Sequence, residues 1–227
     1  MTIRSAHSNL LRRDTTSIWG QQTFEPGCAS QVGAALTQLG AKSVFLVVDR
    51  PAYEMSGARS ELASLWGDRD VVEFDGFANN PQIEDVLHGV EQYRRVPCDV
   101  IVAVGGGTAL DIAKLIRCLT GLRHPPADII ADNSLIENSA CPMVAVPTTA
   151  GTGAEATHFA VLYRGGVKHS VAHPSILPEV AVVDWRLTRS LPPRITAETG
   201  LDALSQAIES LWGIPSTEES MSYSVAA

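Results

Sequence analysis

The chain has 227 residues, 45% of them apolar and 19% charged, a globular composition that excludes a mainly disordered polypeptide. Seventeen Lys and Arg stand against 25 Asp and Glu, a formal net charge of −8, which argues against general nucleic-acid or anionic-membrane binding because both need clustered positive charge. No apolar run approaches the ~18 residues of a membrane span, and the opening MTIRSAHSNLLRRDTTS holds no apolar leader segment. With four scattered cysteines (Cys28, Cys98, Cys118, Cys141) and no C-x-x-C pair, a cytoplasmic protein with reduced thiols is expected.

In chain order, residues 43–48 read as a buried strand ending at Asp49, and 71–74 as a shorter one. Residues 81–95 follow as a helix, with Ile83, Val86, Leu87, Val90 and Tyr93 at helical spacing. Residues 99–104 are the clearest strand, 108–119 the helix after it, and 143–146 another strand closed by Pro147. Strands alternating with helices imply parallel pairing in an α/β sheet. Residues 158–163 and 167–171, separated by Arg164-Gly165-Gly166, read as a hairpin. Residues 180–183 are one more buried strand. Pro192-Pro193 then breaks the pattern before a long helix near Thr196. The expected division is an α/β domain over 1–193 and the first helices of an α-helical domain over 194–227.

Two loops carry the chemistry. Gly105-Gly106-Gly107-Thr108 follows a strand and opens a helix. Glycines let the main chain approach a ligand closely, and the helix N-terminus suits a phosphate. Thr108 and Asp111 have capping-box spacing. A tight turn with no ligand would share these features. Pro147-Thr148-Thr149-Ala150-Gly151-Thr152-Gly153 also follows a buried strand, and its hydroxyls suit an anion or a ribose. Loops at the carboxyl ends of strands lie where open α/β sheets bind ligands, so the pair points to a dinucleotide. Asp49 at a strand end could accept bonds from a ribose diol and repel a 2′-phosphate. NAD is therefore favoured, with NADP left open.

Together GGGTALDIAK, VPTTAGTGAEAT, the lysine of GGVKHS, LPEVAVVD and TGLDALSQAIE resemble the iron-dependent (group III) alcohol dehydrogenases, which share a fold with dehydroquinate synthase and glycerol dehydrogenase. The likeness runs from about Ser17 to the end of the chain. The ending LDALSQAIESLW…STEES looks like the branch that reduces phosphonoacetaldehyde to 2-hydroxyethylphosphonate. The resemblance implies a Rossmann-type parallel sheet with a β-hairpin insertion, then the start of an all-α domain. It implies an NAD(P)-dependent, metal-dependent alcohol dehydrogenase or aldehyde reductase acting on a small aldehyde or alcohol, and it allows a homo-oligomer. Asp49 would hold the adenosine ribose. Gly105, Gly106, Gly107 and Thr108, with Asp111 beside them, would serve the pyrophosphate. Thr148, Thr149 and Thr152 would bind cofactor phosphates and the nicotinamide end, Lys168 a ribose hydroxyl, and Asp202 the metal, Fe or Zn.

The family pattern Asp-x-x-x-His is here Asp202 and Gln206, and an amide oxygen is a weaker ligand than imidazole for such metals. Glu198, Asp202, Gln206 and Glu209 make one polar face, flanked by Leu201, Leu204, Ile208 and Leu211. No histidine follows His173, so the sequence reads as a C-terminally truncated member lacking the later ligands. His169 and His173 are four apart, but on a strand that spacing does not bring side chains together. The alternative to an enzyme is a truncated, non-catalytic nucleotide-binding remnant. Arg164, Arg186, Arg189 and Arg194 are the cations available to a phosphonate.

Overall fold

In the computed structural model, residues 21–24, 28–121, 124–137 and 141–227 are described. The opening segment read as holding no leader lies outside them. Among them, eight strands run β1 Gln21–Phe24, β2 Ser43–Val48, β3 Asp70–Phe74, β4 Val100–Gly105, β5 Met143–Pro147, β6 Phe159–Arg164, β7 Val167–Ala172 and β8 Val180–Val183. The helices are α1 Gln31–Gln38, α2 Arg50–Met55, α3 Ala58–Ala63, α4 Ile83–Arg95, α5 Gly107–Thr120, α6 Pro126–Ala131, α7 Pro193–Trp212 and α8 Glu218–Ala226.

The runs SVFLVV, VIVAVG and MVAVP are apolar along their length because both faces of a parallel sheet are covered. Six strands form that sheet in the order β1-β8-β5-β4-β2-β3, with all pairs parallel. The expected α/β class and most strand positions are observed. The β1 strand, whose sequence QQTF has no apolar run, and the short helices α1, α2, α3 and α6 are additions to the elements expected.

Alternate residues of the central strands β2, β4 and β5 feed two cores. Phe45, Val47, Ile101, Ala103, Met143 and Ala145 pack on one face against α4 and α5. Val44, Leu46, Val102, Val104, Val146 and Val182 pack on the other against α1, α2 and α3. The two faces are each closed by helices, so single-residue alternation on a strand sends neighbours to opposite cores. Helix α5 is buried nearly all round, because the antiparallel β6–β7 hairpin covers the side turned away from the sheet.

Two opposite charges are also buried at the last turn of α5. Arg117 pairs with Glu179, both all but fully buried, and donates to the Leu177 carbonyl at 3.0 Å. Glu179 also accepts from the Met143 amide at 2.6 Å. The pair ties α5 to the amino ends of β5 and β8. No described helix is long and apolar enough to cross a membrane.

Helix α7 starts at Pro193, capped by Pro192, three residues ahead of the expected Thr196. Proline at a first helical turn loses no hydrogen bond, since those amides have no intrahelical partner. Neither α7 nor α8 buries a side chain. Leu204 is 55% and Trp212 75% exposed.

Candidate functional site

The chain reverses direction in the sheet between β2 and β4, since β2 leads outward to β3 and β4 leads the other way to β5. The crevice beyond the carboxyl ends of those strands is where open α/β sheets bind ligands. Asp49 and the glycine turn stand there side by side. The Asp49 amide donates to the Val104 carbonyl at 3.3 Å, and the Thr148 amide donates to the Gly105 carbonyl at 2.9 Å. Three strand ends are thus stitched into one rim.

The cap of α5 is Gly106, and no side chain hydrogen-bonds it. The capping box expected from Thr108 and Asp111 is therefore not formed. Thr108 lies inside the helix, and Asp111 instead accepts from the Val161 amide at 3.0 Å. Without a capping side chain, the first-turn amides are left for a ligand.

The two loops interlock. A Cβ on Gly106 would come within 3.2 Å of Thr149 Cγ2, and one on Gly107 within 3.2 Å of Thr152 Cγ2. Side chains at these positions would fill the cradle. The hydroxyls of Thr148 and Thr149 are buried without a hydrogen-bond partner among the described residues. Buried polar atoms are nearly always satisfied, so two orphans in one loop mark a place built for a partner. Thr152 Oγ1 accepts from the Ala154 amide at 3.3 Å.

A cleft of about 240 Å³ opens beside this rim, with Asp49, Asn79, Thr148, Leu187 and Ile195 among its walls. Asp49 Oδ1 caps α2 by accepting from the Ala52 amide at 3.1 Å, which fixes the carboxylate at the cleft mouth. Asn79, Leu187 and Ile195 come from distant segments, and no local pattern marked them. The two loops, Asp49 and the cleft form one site suited to an extended nucleotide.

Below the cradle, α5 anchors the hairpin. Lys114 is completely buried and donates from Nζ to Thr157 Oγ1 at 3.0 Å and to the Phe159 carbonyl at 2.9 Å. Burial pushes its ammonium down to about 8, partly countered by Asp111 and Glu155. Burial pushes Asp111 up to about 6, opposed by the Val161 amide and the charges of Lys114 and Lys168. Lys168 itself is exposed on β7, opposite Tyr163. The i,i+3 spacing of Asp111 and Lys114 put both on one helical face, a signal present in GGGTALDIAK.

On α7, the Gln206 amide donates to Asp202 Oδ2 at 2.9 Å, on an exposed face. Loop and helix meet nearby, since a Cβ on Gly151, whose φ is +123°, would strike the Thr199 carbonyl oxygen at 2.2 Å. Among the described residues no group of three or more His, Cys, Asp or Glu is placed to hold a metal ion. Asp202 and Gln206 alone do not fit one. His173 accepts from the Ser175 amide at 3.2 Å, and His158 sits edge-on to Phe159. Of the four arginines, Arg186 meets Asp184 and Glu61, Arg194 pairs with Glu198, Arg189 lies over Trp185, and Arg164 is exposed at the end of β6.

Residues 20–185 match the family model for iron-containing alcohol dehydrogenase. The chain belongs to that family. It is 33% identical over 223 residues to a protein of Salmonella typhimurium named Probable alcohol dehydrogenase EutG, covering 96% of this chain and 56% of that one. Among solved structures, a 1,3-propanediol oxidoreductase superposes with a TM-score of 0.83 at 32% identity, covering 89% of this chain and 54% of the other. A sulfoacetaldehyde reductase from Bifidobacterium kashiwanohense in complex with NAD+ gives 0.79 at 32% identity, covering 88% and 53%. The chain spans about half the length of the curated relatives it matches. Membership accounts for the parallel sheet and for the two loops found in matching order.

Proposed function

We propose that the chain carries the coenzyme-binding part of an NAD-dependent alcohol dehydrogenase or aldehyde reductase. The two orphan hydroxyls of Thr148 and Thr149 beside the uncapped glycine turn carry this reading most directly. Main-chain amides at 106–108 bind the pyrophosphate, Thr148, Thr149 and Thr152 bind phosphate and the nicotinamide end, and Asp49 holds the adenosine ribose. Asp111 acts through the hairpin it anchors, which presents Lys168 towards a ribose hydroxyl. When bound, the coenzyme supplies the hydride acceptor. The chain's residues bind it, orient it and keep water from the buried hydroxyls.

The domain boundary falls at Pro192-Pro193, between the described α/β elements and helices α7 and α8. The substrate is a small aldehyde or its alcohol, with phosphonoacetaldehyde the specific candidate. The ending LDALSQAIESLW supports it, as does the similarity to a reductase of sulfoacetaldehyde, another two-carbon aldehyde bearing an anion. Iron or zinc is the family's metal, but the described residues make no complete site for it. A second reading, nucleotide binding without turnover, is favoured by Gln206, whose amide closes on Asp202.

Calorimetry with NAD, followed by NADH oxidation with phosphonoacetaldehyde, sulfoacetaldehyde and acetaldehyde in the presence of Fe²⁺ or Zn²⁺, tests both readings. Binding with aldehyde-dependent turnover supports the dehydrogenase. Binding with no turnover on any of the three supports the second reading, and no NAD binding contradicts both.

A further inference from the structure

Arg50 follows Asp49 directly, at the first position of α2. Its sequence neighbours Asp49, Pro51 and Ala52 line the cleft, but Arg50 does not. Its guanidinium is held from the other side. Nη1 meets Glu73 Oε1 at 2.6 Å, and Nε donates to Asp75 Oδ2 at 2.9 Å. Glu73 is in β3 and Asp75 is the residue just beyond it. The loop that continues from Asp75 delivers Asn79 to the cleft wall. The clamp therefore stands on the β3 side of the cleft mouth, next to Asp49.

A planar guanidinium fork suits phosphate as well as carboxylate. In comparable α/β sites an acidic residue after the second strand binds the ribose 2′-hydroxyl of NAD, and a nearby arginine accommodates the 2′-phosphate of NADP. Both residue types are present here, and the arginine is already occupied by two carboxylates. Glu73 and Asp75 set two negative charges against one positive charge. The partial exposure of the clamp, 38% for Arg50 against 31% and 43% for its partners, leaves the guanidinium free to swing once released.

We propose that the Arg50–Glu73–Asp75 clamp is a coenzyme-specificity element that withholds from the ribose the cation a 2′-phosphate would need. Asp49 and the clamp act differently. Asp49 favours the free diol by hydrogen bonding, whereas the clamp disfavours the phosphate by denying it a counter-charge. This inference rests on the coenzyme reading above.

The test titrates NAD and NADP by calorimetry into the native full chain and into two variants, Glu73→Gln with Asp75→Asn, and that double variant with Arg50→Gln added. In the double variant, NADP affinity is expected to rise about tenfold, the scale of one charge-assisted contact, with NAD affinity changed by less than about twofold. Adding Arg50→Gln is expected to erase the gain. Each single variant should give part of it, so the two singles decide the matter if the double fails to fold. Unchanged NADP affinity with intact NAD binding overturns this inference alone. So does a gain that survives Arg50→Gln, because simple loss of repulsion would then explain it. Absence of NAD binding to the native chain overturns the coenzyme reading and this inference together.

Discussion

Helices α5 and α7 both carry regular apolar positions, yet their surroundings are opposite. Helix α5 is enclosed by the sheet, α4 and the hairpin, and ten of its residues are buried, Lys114 and Arg117 among them. Helix α7 is longer and buries none. Burial, not pattern, separates a helix that holds the fold from one that leans on it. Apolar area removed from water stabilises by about 25 cal/mol per Å², and α7 removes little. The chemistry divides the same way. Backbone amides and hydroxyls of the α5 end are positioned by a packed core, whereas Asp202 and Gln206 lie on an open surface and satisfy each other.

Mutations at the two helices should separate them sharply. Arg117→Met leaves Glu179 buried with a charge whose partner is gone, keeping only its bond to Met143. A loss of about 3–5 kcal/mol is expected from urea unfolding. On α7, Leu204→Ala removes a side chain that is 55% exposed. It should change stability by less than about 0.5 kcal/mol. Similar losses at both sites would break the contrast.

The pH dependence of stability sharpens it further. Asp111 has its pKa raised by burial to about 6. A carboxyl whose folded pKa is raised adds stability that is fully present below its unfolded value near 3.9 and lost as pH rises through the folded one. The stability of the native chain should therefore fall between about pH 4 and pH 6, by about 1–3 kcal/mol from this group. Asp111→Asn retains an acceptor for the Val161 amide and removes the titration. Thermal melts across that window should be flatter for the variant, and an equal slope would contradict the assignment.

The smallest effect on stability is the most informative about function. Thr149→Val replaces a buried hydroxyl that has no partner with a methyl of similar size. Because an unsatisfied buried hydroxyl is costly, the melting temperature should stay level or rise by a few degrees. NAD affinity should fall about tenfold, the loss of one hydrogen bond to a charged group. A variant that loses stability and keeps NAD affinity would make this threonine structural.

The sheet was legible because β-branched runs such as SVFLVV have few other uses, and the glycine turn because strand, glycines and helix follow in order. Helices α1 to α3 were not, since six to eight residues hold too few apolar positions to show a period. The apolar residues Ile112, Ala113, Leu115, Ile116 and Leu119 point to a buried helix, but nothing local marks Lys114 and Arg117 as interior with them. Those two are interior because the hairpin and Glu179, 43 to 62 residues further on, close over them. The Thr108–Asp111 spacing misled for the same reason, as a tertiary acceptor role for the Val161 amide outcompeted local capping. Leu187 and Ile195 reach the cleft by chain folding alone.

The central claim is that main-chain amides at the start of α5 grip a dinucleotide pyrophosphate. Gly106→Val tests it most directly, because the new side chain would press on Thr149 and fill the cradle while the sheet beneath keeps its packing. Calorimetry of NAD with the native chain and this variant, each shown by its melt to be folded, is the deciding measurement. Saturable binding to the native chain and a loss of about a hundredfold or more in the variant is the predicted result. Equal NAD affinity in the two proteins would contradict the account.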